Sequence, residues 1–331
     1  MPELSRILAT LAHAPGEPAA LATLVRVEGS SYRRPGARLL VLPNGLRVGS
    51  ISGGCLEDDV VLRAQRVLAS GQPETAIYDT TTENDLVWGV GLGCQGVVHI
   101  FIERLPSLRP TWIKIVDENL RARRATELAI VHGGSSPPGT VLAAEISSEA
   151  TPASTYRQTI TAPPALVIFG AGEDVRPLVR LAKEVGWHVT VVDSRAAYAA
   201  AGRFPKADAI TVAPATGATR SLAGDGSGFA VLMTHRYAED LQLLRQLLPH
   251  PLAYLGLLGP RKRTDRLLAQ LRAEGFVPDE MMLSRLHAPI GLDLGGNTPE
   301  TVALAVMAEM QCLLTAREPI HLRERAAPIH G

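Results

Sequence analysis

Hydrophobic positions recur along this chain in two rhythms, a period of two over short stretches and a helical period of 3.6 over longer ones. In the first hundred residues the pattern predicts a helix over 4–14, a strand over 21–27, and a hairpin-like pair over 39–42 and 47–51 around Pro43-Asn44-Gly45. Leu56, Val60, Ala64, Val67 and Leu68 share one face of a helix that starts near Leu56 and stops at Gly71, and a strand over 97–102 follows. Farther on, strands over 166–169, 188–192, 209–212, 229–233 and 252–257 interleave with helices over 175–185, 238–248, 264–273 and 299–314. Repeated strand-helix units of this kind build a mostly parallel sheet covered on both faces.

The fold class expected is α/β, with an N-terminal α/β domain over 1–146 and a C-terminal Rossmann-like parallel-sheet domain over 165–331. Residues 147–164, rich in Ser, Thr, Ala and Pro, read as the linker. Inside the first domain a helical stretch over 111–123, a strand over 127–131, the turn Gly134-Ser135-Ser136-Pro137-Pro138-Gly139 and a strand over 140–144 echo the order at the start of the chain. That echo predicts a partial internal duplication with both segments in one sheet; two unrelated hairpins with common turn residues are the plain alternative.

Charge narrows the partners. Across 331 residues, 33 basic side chains balance 33 acidic ones, so no net field recruits nucleic acid or an anionic membrane, and small-molecule or protein partners are expected. No uncharged apolar run approaches the ~18 residues that span a bilayer, and the N-terminal residues lack the pattern of a secretory signal, so a cytoplasmic protein is expected. Three cysteines, an odd number, argue for reduced thiols over a disulfide framework.

Two of those cysteines stand in glycine-flanked turns. Cys55, in Ser52-Gly53-Gly54-Cys55-Leu56-Glu57, falls where a strand passes into a helix, so free N–H groups and the positive helix end suit its thiol to a ligand or nucleophilic role. Glu57, Asp58 and Asp59 oppose that by satisfying the helix dipole, and a small half-buried cysteine packed beside two glycines is the alternative. Cys94 sits among Gly89, Gly91, Gly93 and Gly96, which reads as a ligand-contacting loop or as a tight corner. Neither has a Cys-x-x-Cys partner or a spaced histidine, so no metal site is expected; Cys312, in the apolar run 302–314, is expected in the core.

Ser30 and Arg33, in Ser30-Ser31-Tyr32-Arg33-Arg34-Pro35-Gly36, offer a cradle for a phosphate or other anion, or a solvated turn. Gly170 and Gly172 join a strand to a helix, and Asp193 follows at the ~20-residue spacing of an acid that binds a ribose hydroxyl. Glu173 and Asp174 place carboxylates where a pyrophosphate would meet that helix, which repels phosphate, and Arg195 could favour a phosphorylated ribose. Arg261 and Arg263 flank Lys262 at another strand-to-helix turn, an anion site or a solvated basic helix start.

Together, Ser52-Gly53-Gly54-Cys55-Leu56-Glu57, the 29–36 loop, Gly91-Leu92-Gly93-Cys94, Gly170-Ala171-Gly172, Val191-Val192-Asp193-Ser194-Arg195 and Ile290-Gly291-Leu292-Asp293 resemble the XdhC/CoxI family of xanthine dehydrogenase accessory proteins over nearly the whole chain. The resemblance implies a cytoplasmic factor that binds molybdenum cofactor, as molybdopterin or a dinucleotide form. It further implies protection of the cofactor, help with its sulfuration by a cysteine desulfurase, and delivery to an apo molybdenum hydroxylase. By resemblance, Cys55 and Cys94 become candidates to contact the cofactor or its labile sulfur, and Gly170, Gly172 and Asp193 to hold a nucleotide portion. The expectation is a carrier enclosing its cofactor between two domains, without a catalytic residue, and with room for a homodimer. The alternative is an NAD(P)-dependent oxidoreductase, for which His235 is the one tempting general acid; a nucleotide-sensing scaffold would need neither cysteine.

Overall fold

The computed structural model describes residues 2–79, 96–134, 136–146, 154–222 and 228–326, and the chain divides into two compact units at Ala162 and Pro163. In the first unit, α1 (Pro2–His13) presents Leu4, Ile7, Leu8 and Leu11 on one face and leads into β1 (Ala19–Gly29). β2 (Arg38–Val41), β3 (Arg47–Gly49), α2 (Glu57–Ser70), β4 (Glu74–Asp79) and β5 (Gly96–Leu105) complete an antiparallel sheet in the order β3-β2-β1-β5-β4. The first seven residues of β1 are buried, because both sheet faces are covered. Ala20, Ala22 and Leu24 face α2, whose Val60, Val61, Ala64 and Val67 pack against these small side chains. Gly71 ends α2 in the left-handed conformation at φ 73, donating its N–H to Val67 O.

On the other face, Ala19, Leu21 and Val25 meet α1, α3 (Thr111–Arg121) and β6 (Thr126–Val131), which lies between β7 (Gly139–Leu142) and β8 (Thr155–Ile160) in a second, three-stranded antiparallel sheet. The order helix, strand, hairpin strand thus recurs as α1-β1-β2 and α3-β6-β7, but the two segments occupy different sheets. Each central strand already has both edges filled, β1 by β2 and β5, β6 by β7 and β8, so no edge remains for the pairing expected from the sequence echo.

The expected linker is corrected too. Its residues 155–160 are β8, paired with β6 from Thr126↔Ile160 to Val131↔Thr155, with Thr155 and Ile160 buried. The polar Thr, Arg and Gln of this half-buried strand resemble linker composition; only the pairing tells them apart.

A buried polar cluster ties the two sheets of this unit. Arg38 of β2, 2% exposed, donates through Nη2 to Gln158 Oε1 of β8 (2.8 Å) and through Nη1 to Gly36 O (3.1 Å). Glu103 of β5, 7% exposed, accepts from Thr140 N (3.0 Å) and from the Thr140 hydroxyl of β7. Burial pushes the Glu103 carboxyl up, against the Thr140 hydrogen bonds and the charge of Arg38. Burial likewise lowers the Arg38 guanidinium, against Tyr156, Glu103 and Glu3.

The second unit runs β9 (Ala165–Phe169), α4 (Val175–Glu184), β10 (His188–Asp193), β11 (Ala209–Val212), β12 (Phe229–Leu232), α5 (Tyr237–Leu247), β13 (Tyr254–Leu257), α6 (Arg261–Ala273), α7 (Glu280–Ser284), β14 (Leu286–His287) and α8 (Pro299–Leu314). All six strands are parallel, in the order β11-β10-β9-β12-β13-β14. Counted from β9 this is 3-2-1-4-5-6, the doubly wound order in which the chain reverses direction beside the first strand. Leu166 and Ile168 of β9 point to the layer of α4 and α8, while Val167 and Phe169 point to that of α5 and α6. Cys312 is half-buried, outside the core: α8 turns Ala303, Val306, Met307 and Met310 inward, and position 312 falls off that stripe.

A fragment ending at residue 146 lacks β8 and leaves Arg38 buried without Gln158, whereas one ending at 162 keeps both. Removing the acceptor of a hydrogen bond made by a buried charge costs about 1.5–3 kcal/mol. Residues 1–162 are therefore expected to unfold cooperatively in urea, and 1–146 to be far less stable or unfolded; equal midpoints would refute the assignment of β8 to this unit.

Candidate functional site

In the first unit the chain leaves β3 and forms a turn, residues 50–56, before α2. The turn is organised from inside by Glu57. Its Oε1 accepts from Ser50 Oγ (2.8 Å), Ile51 N (3.1 Å) and Ser52 N (2.8 Å), and its Oε2 accepts from Ser52 Oγ. Ser52 Oγ in turn accepts from Gly54 N (3.2 Å) and Leu56 N (3.1 Å). Partial burial works to raise the Glu57 carboxyl, but the Ser52 and Ser50 hydrogen bonds more than offset it and hold the group below the usual range.

The three acids after Cys55 therefore divide instead of crowding the helix end. Glu57 closes the turn, Asp58 extends to Arg47 (3.0 Å), and Asp59 accepts from Arg63 Nε and Tyr78 OH, each at 2.6 Å. With the N–H groups of Ile51, Ser52, Gly54 and Leu56 engaged, those of Gly53 and Cys55 make no hydrogen bond among the described residues. Cys55 is half-buried against the α2 core, and Gly53 and Gly54 are exposed. At Gly54, φ is 114 and a Cβ would meet nothing within 4 Å, so the turn faces open space. The Tyr32 ring lies over Gly53, where an added Cβ would come 3.6 Å from it, bringing the 30–36 loop against the cysteine turn.

Within that loop Ser30 is exposed and its carbonyl lies against Gly96, where a Cβ would approach to 2.1 Å. Arg33 is not a free cation: its Nη2 donates to Glu3 Oε2 of α1 at 2.6 Å. Cys94 lies outside the described residues.

In the second unit the candidates gather at the carboxyl ends of β9, β10, β12 and β13. Gly170, at φ 115, sits against β12, and an added Cβ would lie 2.3 Å from Met233 O, so only glycine fits where the strands diverge. At Gly172 a Cβ would meet Asp174 Oδ1 at 2.4 Å.

Asp193, whose side chain is 2% exposed, accepts four hydrogen bonds: Ala171 N (2.9 Å) and Arg195 Nη2 (2.8 Å) at Oδ2, Arg195 N (2.8 Å) and Nε (2.9 Å) at Oδ1. Burial acts to raise its carboxyl, but the Arg195 and Ala171 bonds prevail and hold it low. A carboxylate offers about four acceptor positions, so a ribose hydroxyl would have to displace one of these partners. The Arg195 guanidinium also stacks on Tyr198, 3.7 Å from the ring centroid. A cavity bounded by Gly170, Asp193, Ser194, Thr234 and Glu239 has a volume of about 10 Å³, room for one water.

The acids expected to repel phosphate are themselves paired. Glu173 binds Arg176 (2.8 Å) and Arg203 (2.6 Å), and Asp174 Oδ2 lies 2.7 Å from His235 Nε2. His235 adopts φ 59, an unusual conformation for a residue with a Cβ, beside the point where the sheet reverses. This pairing was invisible in sequence, since 61 residues separate the partners. Arg263 is withdrawn from the expected cation cluster: it ion-pairs with the buried Asp240, which also accepts from Thr234 Oγ1 (2.6 Å). Arg261 and Lys262 remain exposed. Among the described residues no group of three or more His, Cys, Asp or Glu side chains could hold a metal, and no helix is long and apolar enough to cross a membrane.

Comparison with known proteins places these two turns in a family context. Residues 166–310 match a family model described as the XdhC Rossmann domain, and residues 12–79 match that of the XdhC and CoxI family. The chain is 35% identical over 317 residues to a probable xanthine dehydrogenase subunit from Bacillus subtilis, covering 89% of this chain and 92% of that one. It is 24% identical over 297 residues to the molybdenum cofactor insertion chaperone PaoD from Escherichia coli, covering 89% and 83%. A crystal structure of a xanthine dehydrogenase from Bacillus halodurans superimposes with a TM-score of 0.81 at 32% identity, covering 96% of this chain and 97% of that one.

Two outcomes test the turns. Both Glu57 and Asp193 titrate low in the folded state, so each stabilises fully above its unfolded pKa, about 4.3 for Glu and 3.9 for Asp, and loses that contribution as pH falls through the lower folded value. Glu57→Gln should cost about 1 kcal/mol at pH 7, after allowance for its partial exposure, and progressively less in acid. Asp193→Asn should cost about 2 kcal/mol or more, with the same pH trend. Urea denaturation from pH 7 down to the acid limb checks both, and a cost independent of pH would contradict the ionised-acceptor role.

Proposed function

The chain belongs to the XdhC and CoxI family, and on that premise we propose that it carries molybdenum cofactor to an apo molybdenum hydroxylase of the xanthine dehydrogenase type. Its tasks are to bind the cofactor, shield it, present it for sulfuration by a cysteine desulfurase, and release it to the client. The observation that supports this most directly is the turn over 50–56. It is tied from within by Glu57 and Ser52, and it combines a half-buried thiol and two exposed glycines with the N–H groups of Gly53 and Cys55, which make no hydrogen bond among the described residues.

Those features suit a cargo with soft and anionic atoms. A thiol reaches sulfur or metal, unengaged N–H groups donate to negative oxygen, and glycines let a flat ring approach the backbone. Cys94 is proposed as a second contact to the same cargo. The oxidoreductase alternative draws little support from the second unit, where Asp193 is fully engaged by the protein itself.

Cys55→Ala and Cys94→Ala are each expected to co-purify with several-fold less pterin than the unaltered protein, while the thermal midpoint changes little. Bound pterin and midpoint are measured on the same preparations. Wild-type retention in both variants would defeat the thiol-contact reading.

A further inference from the structure

Beside the cysteine turn, α1, the 30–36 loop and the edge strand β3 enclose a groove of about 550 Å³, within the size range of small-molecule sites. Its polar lining is unusual in sign. Arg6, Arg33 and Arg47 contribute three guanidiniums against one carboxylate, Glu3. That carboxylate is already engaged: Oε2 accepts from Arg33 Nη2 (2.6 Å) and Oε1 from the backbone N–H of Arg38 (2.7 Å). Arg47 leans on Asp58, whose side chain is 92% exposed and so holds it weakly. The Arg6 side chain has no partner among the described residues.

The backbone adds donors. β3 lies at the end of its sheet and pairs only with β2 among the described residues. Leu42 N donates to Leu46 O (3.0 Å), so strict alternation along the hairpin directs the N–H groups of Arg47 and Gly49, both in the groove lining, away from β2. Ser50 also lines the groove, and it is the first residue of the turn that carries Cys55.

We infer that this groove is a binding site for a phosphate monoester group, and, on the carrier reading above, that it anchors the phosphate end of the cargo while the rest lies toward Gly53 and Cys55. The guanidiniums of Arg6 and Arg47, on two separate segments, with Arg33 already paired to Glu3 beside them and edge-strand N–H groups between, suit the several oxygens of one tetrahedral dianion. The site takes no part in covalent chemistry.

The full-length protein, titrated with inorganic phosphate at constant ionic strength and followed by phosphorus NMR, should show saturable binding. Arg6→Gln combined with Arg47→Gln should weaken it by about tenfold or more, the scale of one or two lost charge-assisted hydrogen bonds, with the circular dichroism spectrum unchanged. Arg6→Lys combined with Arg47→Lys should recover part of the loss. Arg261→Gln combined with Lys262→Gln serves as the comparison and should leave binding intact. Unchanged affinity in the Arg6/Arg47 variant, or loss confined to the 261/262 variant, overturns the site.

A second arm separates free phosphate from phosphate borne by the cargo. Released molybdenum cofactor should bind better than its dephosphorylated form, and that preference should vanish in the Arg6/Arg47 glutamine variant. Equal binding of the two forms overturns the anchoring role. The phosphate titration does not involve Cys55, so failure of the groove and failure of the carrier reading remain distinguishable.

Discussion

In both units a candidate turn is held open by a carboxylate that gathers the backbone N–H groups around it. Glu57 takes those of Ile51 and Ser52, and Asp193 takes those of Ala171 and Arg195. Irregular backbone between a strand and a helix carries donors that no ladder satisfies, and leaving them unpaired out of water would cost more than the turn could recover. An internal anion solves this without a ligand. It also decides what the turn can still offer. Around Glu57 two donors, the N–H groups of Gly53 and Cys55, stay unused beside a thiol. Around Asp193 the acceptor is consumed, and Arg195 closes over it.

The same pairing of charge governs the rest of the second unit's rim. Five acids, Glu173, Asp174, Asp193, Glu239 and Asp240, each pair with an arginine or a histidine. Sequence motifs alone count such carboxylates as repulsive to phosphate; their partners cancel most of that field. Arg261 and Lys262 then stand as exposed positive charges at the start of α6. The first unit follows a different course. There Arg38 and Glu103 are buried and reach across from the five-stranded sheet to Gln158 and Thr140 of the three-stranded one. Buried charges of this kind add little net stability but penalise any arrangement that separates them, so they fix the register of the two sheets against one another.

The proposed carrier role asks for contacts that hold an anionic cargo and also let it go. The first unit's surface around Cys55 joins a half-buried thiol and two exposed glycines to a neighbouring arginine groove. On the proposed function, holding an anionic cargo by several exposed contacts, none of them deeply desolvated, would keep release within reach of a competing client.

Local structure is legible in the chain to a considerable depth. Period-two and period-3.6 patterns locate most strands and helices of the second unit within a residue or two, Gly71 marks the end of α2, and Thr298-Pro299 the start of α8. The glycine-cysteine turns also stand out, because glycine where φ is positive or a neighbour approaches closely leaves a trace in composition, as at Gly54 and Gly170. Short elements such as β4, α7 and β14 escape, since so few residues carry too little periodicity to exceed chance. Pairing, by contrast, was left to the folded molecule. That β8 belongs to a sheet, that α1-β1-β2 and α3-β6-β7 sit in separate sheets, that Arg33 serves Glu3 and Arg263 serves Asp240, and that His235 meets Asp174 all depend on contacts between residues 23 to 61 positions apart or on which strand edges are free. A side chain's type is written in the chain, but the partner that neutralises its charge is chosen by folding.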